Sequence, residues 1–277
     1  CSSGLDDTLI VFFALYLFQI SLVEWLLYKE EKYLMIIRNC IKIAFIRLST
    51  LFYFSKRSKA IFYHDIHTES KYTNMSTPIE LFKEHIQIIR NSGYEIVSKI
   101  NKPIGQIEIS FDDGFLGIYK NINVIKELDL PIQLFVITSN LDTPNYINKS
   151  QLLELNSFSQ ITISSHTHKH SILNRISEIE IEIELETSKK LLEDILNKQI
   201  NSLCFPEGKF NNKVIEIAKK IGYSNLYASI PGFYFDQFSA IVIKRSLVQF
   251  ASKGEFKSIM KGGDHILSKW YQIKHYN

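Results

Sequence analysis

The strongest constraint on this chain is an alternation of periods. From residue 60 onward, short apolar runs of strand length take turns with longer amphipathic stretches of helical period. The apolar runs fall at 60–63, 95–97, 107–111, 132–137, 160–164, 202–205, 226–229 and 241–248. The helical stretches fall at 78–91, 119–128, 149–156, 177–197, 212–221 and 255–267. Strands separated by helices pair in parallel, because the crossover returns the chain to its starting end. Seven or so such units favour an α/β barrel over an open sheet, and a barrel gathers the residues after its strand ends at one mouth.

Two helix starts carry capping boxes. Thr77-Pro78-Ile79-Glu80 places Pro at the first helical position, and Ser177 with Glu180 opens the next long helix. The run from Glu178 to Leu185 also alternates like a strand, but its length and the face formed by Ile176, Ile179, Ile183, Leu191 and Ile195 favour a helix. With 45% hydrophobic and 22% charged residues the chain is not of the disordered class. Its net charge of +3 comes with no basic stripe interleaved with aromatics, so no nucleic-acid partner is expected. The cysteines Cys1, Cys40 and Cys204 are odd in number and unrelated in spacing, which excludes a disulfide framework and a zinc ribbon. Any metal must be held by histidine and carboxylate.

Residues 1–59 read as a separate hydrophobic and basic helical segment, ahead of a domain at 60–277. The run from Thr8 to Tyr28 is broken only by Gln19 and Glu24, close to the roughly 20 residues that span a bilayer. Asp6 and Asp7 precede it; Lys29, Lys32, Arg38, Lys42, Arg47, Lys56, Arg57 and Lys59 follow, against Glu30 and Glu31. The positive-inside rule then places the large domain on the cytoplasmic side of a membrane. The stretch 35–54 has the composition of a basic helix lying on a membrane surface. Together, 8–54 are expected to associate with a bacterial-type membrane; the competing reading is helices packed on the domain or on each other. Cys1-Ser2-Ser3 also resembles the start of a mature bacterial lipoprotein, although a start within a longer frame is the plainer reading.

Two strand ends carry chemistry. Ile109-Ser110-Phe111-Asp112-Asp113-Gly114 closes a strand with two carboxylates, and Gly114 lets the chain turn so that both serve one site. Adjacent carboxylates repel unless a cation separates their roles, one binding metal and the other accepting a proton. Ser165-His166-Thr167-His168-Lys169-His170 follows another strand. His166 and His170 are four apart, one helical turn, so both imidazoles can face one ion, while His168 points elsewhere. A His-His-carboxylate set with open positions suits a divalent ion, zinc first, with cobalt, nickel or iron compatible.

These motifs resemble the first two of the polysaccharide deacetylases, carbohydrate esterase family 4 with its NodB-like domain. Ile61-Phe62-Tyr63-His64-Asp65-Ile66, the run 82–98 and Cys204-Phe205-Pro206-Glu207-Gly208 also match, so the likeness covers about residues 60–262. The resemblance implies a distorted (β/α)7-type barrel and metal-dependent removal of N- or O-acetyl groups from a glycan. It implies that Asp113, His166 and His170 hold the metal and that Asp112 is the general base. A backbone N–H near 205–207 is expected to help hold the oxyanion. The usual C-terminal histidine motif is missing, since only His265 and His275 follow His170. His64 is the better general acid, as in a permuted subgroup that includes poly-N-acetylglucosamine deacetylases; His67 reads as a surface loop residue. The third motif lacks the arginine that orients the base. Arg245, a charge inside an apolar strand, is the expected substitute. Tyr234, Phe235 and Asp236 are loose counterparts of the family's Asp/Trp motif. Two other classes remain in view: a metal- and nucleotide-sugar-dependent glycosyltransferase, which leaves the His166/His170 pair unexplained, and a non-catalytic glycan-binding barrel.

Overall fold

The computed structural model describes residues 55–236 and 242–276, together with residues 33, 37, 40–44, 46–48 and 50. Contacts divide the chain into Cys1–Phe45 and Ile46–Asn277. Within the second unit the strands in chain order are β1 (Lys59–Tyr63), β2 (Asp65–His67), β3 (Ser76–Pro78), β4 (Glu95–Ile96), β5 (Gln106–Phe111), β6 (Ile132–Val136), β7 (Ile161–Ser165), β8 (Ser202–Cys204), β9 (Asn225–Ala228) and β10 (Val242–Leu247).

Seven of them close a parallel ring in the order β1-β10-β9-β8-β7-β6-β5, with β5 pairing back onto β1. This is the expected α/β barrel. The short β4 adds to β5, and β2 with β3 forms a separate pair. Strand periodicity divides the side chains. Ala60, Phe135, Cys204, Tyr227 and Ile243 pack together inside the ring. Alternate residues such as Ile107, Ile109 and Phe111 belong to the larger core, with Phe82 and Ile89 of the helix Ile79–Asn91.

Several local expectations change. The Ser177 capping box forms as read, with Glu180 returning to the Ser177 N–H. The Thr77 box does not form, because Thr77 Oγ1 donates to the carbonyl of Gln249 at 3.0 Å. The helix read at 119–128 starts earlier and breaks into Leu116–Lys120 and Ile122–Glu127. Asn121 sits at the break and donates its amide to Ile66 O at 3.1 Å and Gly117 O at 2.9 Å, competing with helix continuation. The last helix stops at Met260; Gly262, at φ 93°, turns the chain toward a further helix, Ser268–His275, that the sequence reading lacks.

The run 8–28 lies outside the described residues, and half of 35–54 lies outside them. Among the described residues, no helix is long and apolar enough to cross a membrane.

Candidate active site

β5 delivers the two carboxylates. Immediately after Phe111 the backbone turns through Asp113 at φ 73° and Gly114 at φ 78°, so the adjacent side chains take separate tasks. Asp112 is buried and gripped by Arg245 of β10: Nη1 lies 2.7 Å from Oδ1 and Nη2 lies 2.8 Å from Oδ2. Arg245 also donates to Ser110 Oγ at 2.9 Å and to Cys204 Sγ at 2.7 Å. Its guanidinium carbon stands 4.4 Å from the ring centre of Phe62 and 5.0 Å from that of Phe135. A sealed guanidinium is tolerated here because the two-pronged carboxylate and the ring faces replace water. Burial pushes the Asp112 carboxyl up, but the charge and hydrogen bonds of Arg245 outweigh it and bring the pKa to about 2.

β7 delivers the histidines, though not on a helix. Thr167 at φ 65° and His170 at φ 60° put two left-handed steps into an irregular loop, which corrects the helical-turn argument while leaving both imidazoles on one side. The loop is held from behind by Glu184 of the helix Glu178–Leu196. Glu184 accepts the N–H groups of His168 at 3.0 Å and Lys169 at 2.8 Å and the Ser171 hydroxyl at 3.1 Å. His166 Nδ1 donates to the carbonyl of Cys204 at 2.9 Å, which turns Nε2 inward.

Nε2 of His166 lies 3.3 Å from Asp113 Oδ1, and Nε2 of His170 lies 3.7 Å from it. All three ligand atoms lie within 4.8 Å of one another. Donors placed about 2.1 Å from a tetrahedral ion stand roughly 3.4 Å apart, so this set fits a divalent cation. Asp113 Oδ1 is buried and, apart from the approach of His166 Nε2 at 3.3 Å, has no hydrogen-bond partner among the described residues, an environment that suits a bound cation. Burial disfavours charge on His166, yet Cys204 and Asp113 raise its pKa well above the usual imidazole range. Asp113 is lowered, since His166 outweighs burial. A second set, Asp112, His166 and Cys204, also has ligand atoms in mutual reach. It does not suit a cation, because Arg245 already contacts both Asp112 and Cys204 and His166 Nδ1 is spent on a carbonyl.

His64 follows β1 with Nδ1 2.5 Å from Gln249 Oε1, and its charge bears on both Asp112 and Asp113. His64, Asp112, Asp113, His166, His170 and Arg245 therefore converge at the mouth where the strands end. His168 is turned away to Thr138 Oγ1 at 2.9 Å. His67 is no surface loop residue; it is buried in β2 against Ser76 Oγ at 2.9 Å. Asp236 pairs with Arg57 at 3.0 Å and Tyr234 fills the lumen, so neither joins this cluster. Around 205–207, the Phe205 N–H is taken by Tyr227 O and Pro206 has none. Among the described residues, the Glu207 N–H, on a backbone at φ 52°, is the donor in that stretch without an acceptor.

Sequence reasoning missed Gln249 and Glu184. Gln249 follows the end of β10, so the strand-end rule covers it. Glu184 reads as one more solvated acid in an acidic helix, and nothing in the pattern marks it.

The barrel mouth thus gathers a cluster of two carboxylates, three histidines and a buried arginine. Residues 99–226, within the barrel, match the family model described as polysaccharide deacetylase. YxkH of Bacillus subtilis is 25% identical over 183 residues, covering 62% of this chain and 64% of that protein. The chain thus spans just under two thirds of the length of that relative. The poly-beta-1,6-N-acetyl-D-glucosamine N-deacetylase of Staphylococcus aureus is 28% identical over 134 residues, 43% of this chain and 46% of that one. The fold is shared with Streptococcus pyogenes deacetylase PplD in complex with acetate, at TM-score 0.65 and 19% identity over 74% of this chain and 99% of that one. It is shared also with IcaB from Ammonifex degensii, at TM-score 0.64 and 17% identity over 75% and 98%.

Proposed function

We propose that this chain hydrolyses N-acetyl, or O-acetyl, groups on a polysaccharide. The observation that carries the reading is the ionised Asp112, locked by Arg245, beside the Asp113–His166–His170 set. The Staphylococcus aureus relative's name supports an N-acetylglucosamine polymer as the substrate. Asp113, His166 and His170 hold a divalent metal, zinc by donor preference, with cobalt, nickel or iron compatible. When bound, that ion supplies Lewis acidity that makes water a better acid and polarises the acetyl carbonyl.

The chain's own residues do the rest. Asp112 stays ionised across the working range and accepts the proton of the attacking water. Arg245 fixes the carboxylate plane, so proton transfer needs no side-chain reorientation. The Glu207 N–H offers hydrogen-bond stabilisation to the developing oxyanion. His64, oriented through Gln249, delivers a proton to the departing amine or alcohol. A nucleotide-sugar transferase has no use for the His166/His170 pair, and a binding module has no use for a clamped base.

Purified chain with added zinc or cobalt should release acetate from N-acetylglucosamine oligomers, and Asp112→Asn should abolish release while keeping the metal. Metal-loaded protein that frees no acetate from any acetylated glycan sinks the proposal. We further propose membrane association through residues 8–54 with the barrel on the cytoplasmic side; recovery of the full chain in the soluble fraction of lysed cells overturns it.

A further inference from the structure

The barrel has a second mouth. Where β6, β7, β8 and β9 begin, opposite the carboxylate–histidine cluster, lies a cavity of about 350 Å3. Gln133, Ser164, Ser202 and Tyr227 line it, and Lys99 and Lys198 border it. Volumes of about 300–1,000 Å3 are typical of small-molecule sites. Gln133, Ser164 and Tyr227 are buried, and Gln133 Nε2 donates to Ser164 Oγ at 2.8 Å, so the polar wall is pre-organised.

The charges are one-sided. Lys99 Nζ donates to Asn225 Oδ1 at 3.0 Å, and Lys198 donates to Asn156 Oδ1. Burial is the cause that acts on Lys198, with no charged partner beside it among the described residues, whereas Lys99 also acts at longer range on the buried Glu108. Partial burial lowers the pKa of Lys198, so its ammonium sits half out of water with an amide for company. No acid lines the cavity. Glu108 lies behind Tyr227, hydrogen-bonded to it and 1% exposed, and is sealed from the space. A half-desolvated cation without a counter-charge favours an anion. Amides and hydroxyls at the wall favour a ligand rich in hydroxyl groups.

We propose that this mouth binds a small hydroxylated anion, of the sugar-phosphate or sugar-acid class. Lys99 and Lys198 meet its anionic group, and Gln133, Ser164 and Ser202 take its hydroxyls. The occupant is not the acetylated group undergoing hydrolysis, because Phe135, Tyr227 and Arg245 fill the lumen between the two mouths.

Isothermal titration of the full chain with glucose 6-phosphate, glucuronate, glucose and inorganic phosphate tests this. One or both hydroxylated anions should saturate a single site, with glucose and phosphate each at least about tenfold weaker. Which of the two binds assigns the anionic group. A variant with Lys99→Gln and Lys198→Gln should weaken that binding about tenfold or more, while Asp113→Asn leaves it unchanged. Absence of saturable binding by both hydroxylated anions overturns the proposal. So does phosphate binding as tightly, indifference to the lysine changes, or loss in Asp113→Asn, which would move the ligand to the metal mouth. Because the last variant separates the mouths, failure here leaves the deacetylase reading standing.

Discussion

Arg245 and Asp112 face each other across the barrel lumen in a fork-to-fork ion pair, 2.7 and 2.8 Å on its two arms. Their strands are not neighbours; β1 runs between β10 and β5. Ala60 of β1, paired in register with Arg245, is small. The geometry makes the guanidinium a fixture of the Asp112 carboxylate rather than a general source of charge.

Lysine cannot reproduce that fork. Arg245→Lys should therefore cut kcat by about 100-fold or more, with a smaller effect on KM. Its acid limb should also move upward from the value of about 2 held by Asp112, because the stabilising charge is less well placed. Arg245→Ala should cost about 3–5 kcal/mol in urea unfolding, since it strands a buried carboxylate. An Arg245→Lys enzyme with an unchanged pH–rate profile and turnover would remove the positioning role.

Proton and metal compete for one place. The His166 pKa is raised because Cys204 and Asp113 hold its proton against the cost of burial. A divalent ion must displace that proton, so metal binding near neutrality should release protons and affinity should rise with pH. Titrations in buffers of different ionisation enthalpy give the count directly. Uptake of protons, or affinity that is flat from pH 5 to 8 (approximate bounds of the imidazole range), contradicts the assigned ligand set.

Asp65 predicts a stability effect away from chemistry. Both its carboxyl oxygens are buried without a well-formed hydrogen bond, and burial, only partly offset by the nearby Ile66 and Ile118 backbone and the Ser76 hydroxyl, raises its pKa from 3.8 to about 7. A raised carboxyl pKa means the unfolded chain gives up its proton first. The folded state is therefore penalised progressively as pH climbs from about 4 to 7, and fully above that. Asp65→Asn should remove a penalty of up to about 4 kcal/mol at pH 8 and have little effect near pH 4. Urea melts at those two pH values measure the difference, and equal shifts at both would refute the linkage. Gly117 belongs to the same arrangement, because a Cβ there would strike the Asp65 carboxylate.

Much of this was legible before any coordinates. Strand and helix periods are properties of the sequence itself, and with the strand-end rule they place Asp112, Asp113, His166 and His170 at one mouth. Arg245 was legible for a different reason, as a charge that an apolar strand cannot bury alone. The left-handed steps at Thr167 and His170 were not legible, because they depend on tertiary hydrogen bonds rather than local propensity. Asn121 breaks its helix through a carbonyl of β2, again a contact that a local pattern cannot contain.

Glu184 is the sharpest of these cases. It is buried in a helix whose neighbouring glutamates face water, and its carboxylate holds the backbone of His168 and Lys169 and the hydroxyl of Ser171. It makes no contact with the metal set, so its effect must pass through loop geometry. Glu184→Ala should weaken metal binding by about 10–100-fold, the range seen when partners behind metal ligands are removed. Glu184→Gln retains one acceptor oxygen and should recover much of the affinity. Global unfolding could mimic the loss, so thermal melts of the metal-free variants should accompany zinc titrations with a competing chelator. Metal affinity unchanged in Glu184→Ala, in a protein that melts like the parent, would show that the loop keeps its two left-handed steps without this carboxylate.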